Sequence, residues 1–404
     1  MADYGLLGHP LAHSISPEIH KAFGYDYELY DITADRLGEF VKGGLKCYNV
    51  TIPYKKDIIP YLDVVDEVAL KIGAVNTVVN RGGKLYGYNT DILGMEYALV
   101  KSGIDLKGKS VMILGSGGTS NTAKTLAESL GASKVTIVSR SGLVNYTNYT
   151  EQVDTEIIIN TTPVGMYPNI FDSIVDLDAF PHLLGGFEVV YNPLKTEFVR
   201  AFENRGLPCA NGLMMLVAQA KYARDIFMGN FIDDTVIDSI YHDLLTRFRN
   251  IVLIGMPGCG KTSIAYMLAT KHKRVLIDTD RLVTDSEDKS IPEIFNEVGE
   301  DGFRDIEERA ILNIAGYRGA IISCGGGVIL REQNIINLKR NGIVVYIKRD
   351  LSKLVSDGRP LSNSVGVEKL YERRRQLYER YADIIVDNNT TIEDCVRKIE
   401  ESTL

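Results

Sequence analysis

Cysteine is scarce and unpatterned in this chain, and that argues against two classes of protein at once. Cys47, Cys209, Cys259, Cys324 and Cys395 are odd in number, widely scattered and without metal-ligand spacing. They predict reduced thiols in a cytoplasmic protein, not a disulfide framework or a zinc site. No apolar run approaches the roughly 18 residues of a membrane span. The opening residues, MADYGLLGHP, lack the basic segment and apolar stretch of a secretory leader. Positive charge is not in excess either: 45 Lys and Arg stand against 53 Asp and Glu, for a net charge of −8. That disfavours a general nucleic-acid binder but leaves room for local basic pockets that hold small anions. Low-complexity tracts, heptads and short repeats are missing as well.

What remains is ordinary globular composition, 45% hydrophobic and 24% charged over 404 residues. At roughly 100–200 residues per domain, this length predicts two to three domains. Two stretches share one local logic, an apolar strand followed by glycines and then a helical pattern. They are Ser110–Leu130 (SVMILGSGGTSNTAKTLAESL) and Asn250–Ala269 (NIVLIGMPGCGKTSIAYMLA). Each reads as a buried parallel strand entering a phosphate-binding turn, so two separate nucleotide sites are expected. Short β-rich runs flank the first stretch, alternating with helical or polar segments as in a doubly wound α/β sheet. The polar segment 231–250 carries apolar residues at helical spacing. It reads as a terminal helix and short linker, with a domain boundary near Thr246.

In the first turn, Gly115, Gly117 and Gly118 let the backbone bend and approach a pyrophosphate at a helix N-terminus. Ser120 stands where the strict fingerprint asks for Gly or Ala. The next strand ends in Arg140, where an NAD enzyme usually carries an acidic residue. Arginine there suits a 2′-phosphate and therefore NADP. The second turn, Gly255 to Thr262, matches GxxxxGK[ST] at every fixed position. Backbone around Gly258 and Gly260 would wrap the phosphates of ATP, Lys261 would reach their oxygens, and Thr262 would ligate Mg²⁺.

Motifs before and after the first turn carry a resemblance. Gly8–His20 (GHPLAHSISPEIH), Asn49–Lys55 (NVTIPYK), Gly73–Val79 (GAVNTVV) and Gly87–Gly94 (GYNTDILG) precede it. Asn160–Met166 (NTTPVGM), Tyr191–Thr196 (YNPLKT) and Asn211–Ala220 (NGLMMLVAQA) follow. In order and spacing they resemble the shikimate dehydrogenase family. The resemblance implies that Ser14 and Ser16 hold the substrate carboxylate, and that Thr51, Asn76, Tyr191 and Gln219 contact the ring hydroxyls or flank the pocket. Lys55 and Asp91 would be the catalytic pair. Gly115, Gly117, Gly118 and Arg140 would bind NADP, with Gly212 and Met215 on the nicotinamide side. A lysine suits ketone reduction because the developing alkoxide needs a proton and a nearby positive charge. His13 is taken as a structural neighbour of the serines. The chain departs from the family at Ser141 and Val144, where a threonine and a second basic residue commonly clamp the 2′-phosphate. It departs also at Glu188, commonly Asp, and at Met214, commonly Gly.

After the second turn come Asp278-Thr279-Asp280, then Ile291–Glu307 with Arg304, then Ile321–Gly327 (IISCGGG). Gly358–Leu361 (GRPL) and Arg374–Ala382 (RRQLYERYA) close the succession, which resembles shikimate kinase. It implies Asp278 near Mg²⁺ and Asp280 on the substrate hydroxyls, accepting the attacking proton. Arg304 and Arg374 would grip the carboxylate, with Gly326 beneath the ring and Arg359 as a lid cation. The register within Arg373-Arg374-Arg375 is open by one. The arginine that the family places upstream of GRPL, on the nucleotide side, is not evident. Either Lys353 or Arg349 takes its place, or adenine is held more loosely. Cys259 and Cys324 read as space-fillers.

The whole predicts an α/β chain with a two-domain dehydrogenase over 1–246. Its substrate part spans about 1–100 plus 212–246, and its Rossmann part about 101–211. A P-loop kinase domain of the nucleoside-monophosphate-kinase type follows over 247–404. The expected ligands are NADP(H), ATP, Mg²⁺ and the small acids 3-dehydroshikimate and shikimate, with no nucleic acid or membrane partner and a homo-oligomer left open. The alternative is a quinate/shikimate dehydrogenase with relaxed use of NAD and NADP, fused to a kinase-like regulatory module.

Overall fold

The computed structural model describes residues 3–11, 14–354 and 366–404. The chain forms two compact units, Met1–His242 and Asp243–Leu404. The helix Thr235–Phe248 runs through the division, and a strand begins at Asn250. The segment read as helix and linker is therefore helix almost to that strand. Among the described residues no helix is long and apolar enough to cross a membrane.

The first unit opens with β1 (Tyr4–Gly8), β2 (Glu28–Asp31), β3 (Cys47–Val50), β4 (Val64–Val65), β5 (Thr77–Arg81) and β6 (Lys84–Tyr88). They form a sheet in the order β2-β1-β3-β5-β6-β4. This sheet is mixed. β1 runs parallel to β2 and β3, whereas β5 is antiparallel to both β3 and β6. The reversal from β5 to β6 follows from Gly82-Gly83, whose φ values of 62° and 85° suit the two-residue hairpin loop that side chains resist.

The same unit continues with β7 (Ser110–Leu114), β8 (Lys134–Val138), β9 (Ile157–Asn160), β10 (Gly185–Glu188) and β11 (Cys209–Ala210). All are parallel, in the order β11-β10-β9-β7-β8. Strand order reverses between β7 and β9, beside the glycine turn, where open α/β sheets hold their ligands. β7 and β9 are buried throughout, as a strand covered by helices on both faces must be.

The second unit contains β12 (Asn250–Ile254), β13 (Leu276–Asp278), β14 (Ile321–Ser323), β15 (Gly342–Lys348) and β16 (Ile384–Asp387). This sheet is wholly parallel, in the order β13-β14-β12-β15-β16. The glycine-rich turn leaves β12, so its neighbours are the ends of β14 on one side and β15 on the other.

Helices Asp91–Lys101 and Gly212–Met228 pack closely in the first unit, and they carry Asp91, Met215 and Gln219. Gly94 sets their separation. A methyl group there would come 2.6 Å from the Met215 carbonyl oxygen and 2.9 Å from both Cβ and N of Gln219. Glycine in a helix costs about 1 kcal/mol relative to alanine, yet backbone atoms cannot yield as a side chain can. Gly94→Ala is therefore expected to destabilise the first unit by about 1–3 kcal/mol. Denaturant titration of the variant against the parent checks this.

Candidate functional site

The first site is built on a buried polar network behind the ends of β3 and β5. Lys55 Nζ donates to Asp91 Oδ2 at 2.6 Å, and the two side chains are 18% and 9% exposed. The other carboxylate oxygen, Oδ1, accepts from Asn76 Nδ2 at 2.8 Å. Asn76 cannot turn over, because its Oδ1 accepts from the Thr90 backbone N–H at 2.7 Å and from the Thr77 hydroxyl at 2.9 Å. Asn49 continues the chain, donating to Thr77 Oγ1 and to the Asn76 carbonyl and accepting from Tyr27. Buried polar groups are kept only when satisfied. Here the satisfaction ends in one ion pair with a fixed orientation.

Gln219 joins the cluster through Oε1, which accepts from Thr90 Oγ1 at 3.4 Å and from Asn76 Nδ2 at 3.5 Å. Ser14 and Ser16 lie together, with hydroxyls 3.2 Å apart. No hydrogen bond joins that pair to the Lys55 cluster among the described residues, so a ligand using both would span them. Thr51 stands at the end of β3 against Gly8, where a methyl on Gly8 would come 2.4 Å from Thr51 Cγ2. Tyr191 is partly buried just beyond β10. His13 lies outside the described residues.

In the turn after β7, Gly115 has φ 108°, and a side chain there would meet Thr161 Oγ1 at 2.8 Å. Gly117 precedes the helix Gly118–Ser129, and a methyl at Gly117 would meet nothing within 4 Å. That open space is where a pyrophosphate would approach the backbone. Ser120 has its own function: its hydroxyl donates to the Gly115 carbonyl at 2.7 Å and closes the turn. Gly212 is obligatory, since any Cβ would come 1.9 Å from the Val189 carbonyl oxygen. Met215 is nearly buried one turn later, and Arg140 is exposed at the end of β8.

Glu188 matters more than its sequence position suggests. It is fully buried and gathers three segments: both oxygens accept from Asn160 Nδ2 at 3.1 Å, and it also accepts from Val190 N and Thr196 Oγ1 at 3.0 Å. It thereby ties Asn160, at the start of the NTTPVGM turn, to the segment that carries Tyr191.

In the second unit, Gly255 has φ 147°, and a side chain there would strike the Ile347 carbonyl oxygen at 2.6 Å. Gly258 and Gly260 also have positive φ, 83° and 100°. Lys261 is buried and donates to the carbonyls of Gly255 at 2.9 Å and Met256 at 3.0 Å. Thr262 follows it in the helix Lys261–His272. Asp278 caps the helix Thr279–Glu287: its Oδ1 accepts from the N–H groups of Asp280 and Arg281. That leaves Oδ2 without a backbone donor. One carboxylate oxygen and one hydroxyl beside a phosphate cradle suit Mg²⁺, which keeps several waters and takes few protein ligands.

Around Gly325–Gly327 the side chains converge. A methyl on Gly325 would come 2.3 Å from Asp280 Oδ1, and one on Gly327 would come 2.1 Å from Arg304 Nη2. Arg374 donates to the Gly326 carbonyl at 3.0 Å and is buried, whereas Arg373 and Arg375 are exposed. Of the three neighbouring arginines, Arg374 is thus the one that faces the turn. Arg304 is held by Glu307 at 2.7 Å. Burial raises the Glu307 carboxyl above its usual range, against the pull of Arg304. Arg359 lies outside the described residues. Both Cys259 and Cys324 are buried, and burial pushes the Cys324 thiol well up, as in an inert space-filler.

Asn49, Thr77, Thr90, Glu188 and Glu307 were not singled out as site residues from sequence. Asn49 had a signal, a polar residue inside the wholly buried strand CYNV. Glu307 lies three residues after Arg304 on one helix, a spacing that brings side chains together.

Both units have known relatives. A family model described as shikimate dehydrogenase substrate binding domain matches residues 6–78, and one described as shikimate kinase matches 257–403. Shikimate dehydrogenase (NADP(+)) of Clostridium perfringens is 36% identical over 268 residues, covering 61% of this chain and 99% of the relative. The crystal structure of shikimate dehydrogenase 1 from Peptoclostridium difficile aligns with TM-score 0.56 at 35% identity, over 60% of this chain and 98% of that one. Shikimate 5-dehydrogenase of Thermus thermophilus, solved with NADP(H) and shikimate, aligns with TM-score 0.54 at 30% identity, over 60% and 99%.

Burial pushes the Glu188 carboxyl up to about 7 from 4.5, although its donors pull it back. A raised native value favours the protonated folded state. The stabilisation is complete below pH 4.5 and is lost as pH rises through 7. Glu188→Gln should remove this slope, worth on the order of 3 kcal/mol, because an amide does not titrate in this range. Denaturation midpoints of parent and variant between pH 4 and 8 check it.

Proposed function

Because this chain belongs to the shikimate dehydrogenase family through its first part and carries a shikimate kinase domain behind it, we propose that it reduces 3-dehydroshikimate to shikimate with NADPH and then phosphorylates the shikimate 3-hydroxyl with ATP. This is a bifunctional enzyme of aromatic biosynthesis, an oxidoreductase and a kinase on one chain. The observation that carries the proposed reaction is the locked Lys55–Asp91–Asn76 triad, standing in the same unit as a dinucleotide turn.

In the first reaction, Ser14 and Ser16 take the carboxylate of the substrate, and Thr51, Asn76, Tyr191 and Gln219 take or flank its ring hydroxyls. Lys55 holds a proton at Nζ beside the ketone oxygen, and its charge stabilises the alkoxide that develops there. Asp91 keeps Lys55 in place and offers a route for the proton's return. Bound NADPH supplies the hydride. It would rest on Gly115, Gly117 and Gly118, with Arg140 at the 2′-phosphate and Gly212 and Met215 on the nicotinamide side.

In the second reaction, positioning and charge neutralisation do most of the catalysis. Arg304 and Arg374 suit a planar carboxylate because a guanidinium can bind it bidentately. Gly326 supports the ring, and Asp280 accepts the proton of the attacking hydroxyl. Lys261 leaves its own loop carbonyls for the oxygens of ATP, with Gly258 and Gly260 lining the cradle. Thr262 and Asp278 would hold Mg²⁺, which neutralises phosphate charge when bound. Arg359 is the further cation assigned to the transferring phosphoryl group.

The sites are chemically independent, so their losses separate. Lys55→Ala is expected to cut 3-dehydroshikimate reduction by about 10²-fold or more while sparing phosphorylation. Lys261→Ala should do the reverse. NADPH absorbance and ADP release, read on each variant, check both. Loss of both activities in a folded single variant would overturn the assignment of independent sites.

A further inference from the structure

The segment that carries Ser14 and Ser16 leaves the first sheet at Gly8, and two hydroxyls can meet one carboxylate only if that segment is held in place. Its far end is secured by burial. The short helix Ser16–Ala22 sets His20 into the interior, stacked on the Tyr27 ring at 3.8 Å and 5° and hydrogen-bonded to the Tyr25 hydroxyl. The near end has no helix to fix it. Its anchor is Asp31, the last residue of β2, which sheet register places beside Gly8.

Asp31 applies both carboxylate oxygens to this segment. Oδ2 accepts from the Leu11 backbone N–H at 2.9 Å, and Oδ1 lies 2.6 Å from His9 Nδ1. Exposed ion pairs contribute little by themselves, and His9 and Asp31 are 49% and 42% exposed. The bond to Leu11 is different. Leu11 is buried, in the same apolar cluster as Tyr27 and Cys47, so its N–H needs an acceptor from the protein. His9 holds the second oxygen and keeps the carboxylate from turning away. From Leu11 the bonds run on to the serines. The Leu11 carbonyl accepts from the Ser14 N–H at 3.0 Å, Ser14 Oγ accepts from the Ser16 N–H at 3.3 Å, and the two hydroxyls are 3.2 Å apart. On the other side, the His9 N–H donates to the Ile52 carbonyl at 3.1 Å, within the motif that ends in Lys55. Asp31 thus stands at the root of a hydrogen-bonded chain that ends at the serine pair and abuts the lysine's own segment.

We propose that Asp31 is a positioning residue of the reductase site: through Leu11 it sets Ser14 and Ser16 relative to Lys55, and so governs affinity for the substrate acid without touching it. This inference rests on the proposed role of the two serines and adds the residue that aims them. Removing Asp31 leaves Lys55, Asp91 and Asn76 in place. Binding of the carboxylate therefore weakens while the chemical step keeps its rate, which is a change in KM and not in kcat.

The experiment uses the full chain and compares Asp31→Ala and Asp31→Asn with the parent, each alone and in a Ser14→Ala/Ser16→Ala background. NADPH oxidation is followed over a range of 3-dehydroshikimate. The expected result for Asp31→Ala is a rise of roughly fivefold in the KM for 3-dehydroshikimate, with kcat and the KM for NADPH near parental values. Asp31→Asn should restore the parental KM, because its amide oxygen still accepts from Leu11 and its amide nitrogen can donate to a neutral His9. In the background without the serine hydroxyls, Asp31→Ala should add little, since it acts through them. A parental denaturant transition marks a folded variant; if Asp31→Ala lacks one, Asp31→Ser, too short to reach Leu11, is read in its place. A parental KM in the folded Asp31→Ala or Asp31→Ser variant overturns the proposal. So does a fall in kcat with KM unchanged, an Asp31→Asn variant as impaired as Asp31→Ala, or a full additional rise in the serine-free background. If removing both serines leaves the KM for 3-dehydroshikimate unchanged, the reading of the serines fails first, and this inference falls with it.

Discussion

Both nucleotide sites depend on one steric constraint: a strand of a parallel sheet ends where no side chain fits. At Gly115 the obstacle is Thr161, at the end of the neighbouring strand β9; at Gly255 it is the Ile347 carbonyl in the neighbouring strand β15. In each case φ is also in the range that favours glycine, 108° and 147°. The backbone can therefore turn sharply out of the sheet and present its N–H groups at the start of a helix. Everything else in each site hangs from adjacent strand ends, so the position of the turn fixes where charge can be brought to a ligand.

The two lysines show how differently the same residue type is prepared. Lys55 is held by a carboxylate whose own orientation is locked by Asn76, so the ammonium stays in one place. Lys261 leans on two carbonyls of its own loop. Neutral carbonyls hold a cation less strongly than a carboxylate does, and phosphate oxygens replace them readily. In the proposed scheme the first arrangement suits proton transfer, and the second suits an anion that comes and goes.

Much of this was legible in the chain itself. Glycine turns, apolar strands and the P-loop signature rest on local sterics and short spacing, and they point to parallel α/β architecture with two nucleotide sites. The mixed first sheet was less legible, because the reversal at Gly82-Gly83 is a local hairpin signal inside a pattern of alternating strands and helices. The polar scaffolds were less legible still. Asn49, Thr77 and Thr90 lie up to 41 positions apart in the chain and meet only through sheet register. Glu188 shows the same limit: a single buried carboxylate joins Asn160, Val190 and Thr196, and nothing in a linear pattern announces that convergence.

The central claim is that one chain applies two nucleotides in succession to one small acid. The most direct measurement supplies 3-dehydroshikimate, NADPH, ATP and Mg²⁺ to the purified chain and follows NADPH, ADP and the mass of the product together. The account predicts that 3-dehydroshikimate gains two hydrogens and then one phosphoryl group, with ADP released mole for mole against NADPH consumed at completion. NADPH consumed with no phosphorylated product, or ADP released with no dependence on the reduced acid, would contradict it.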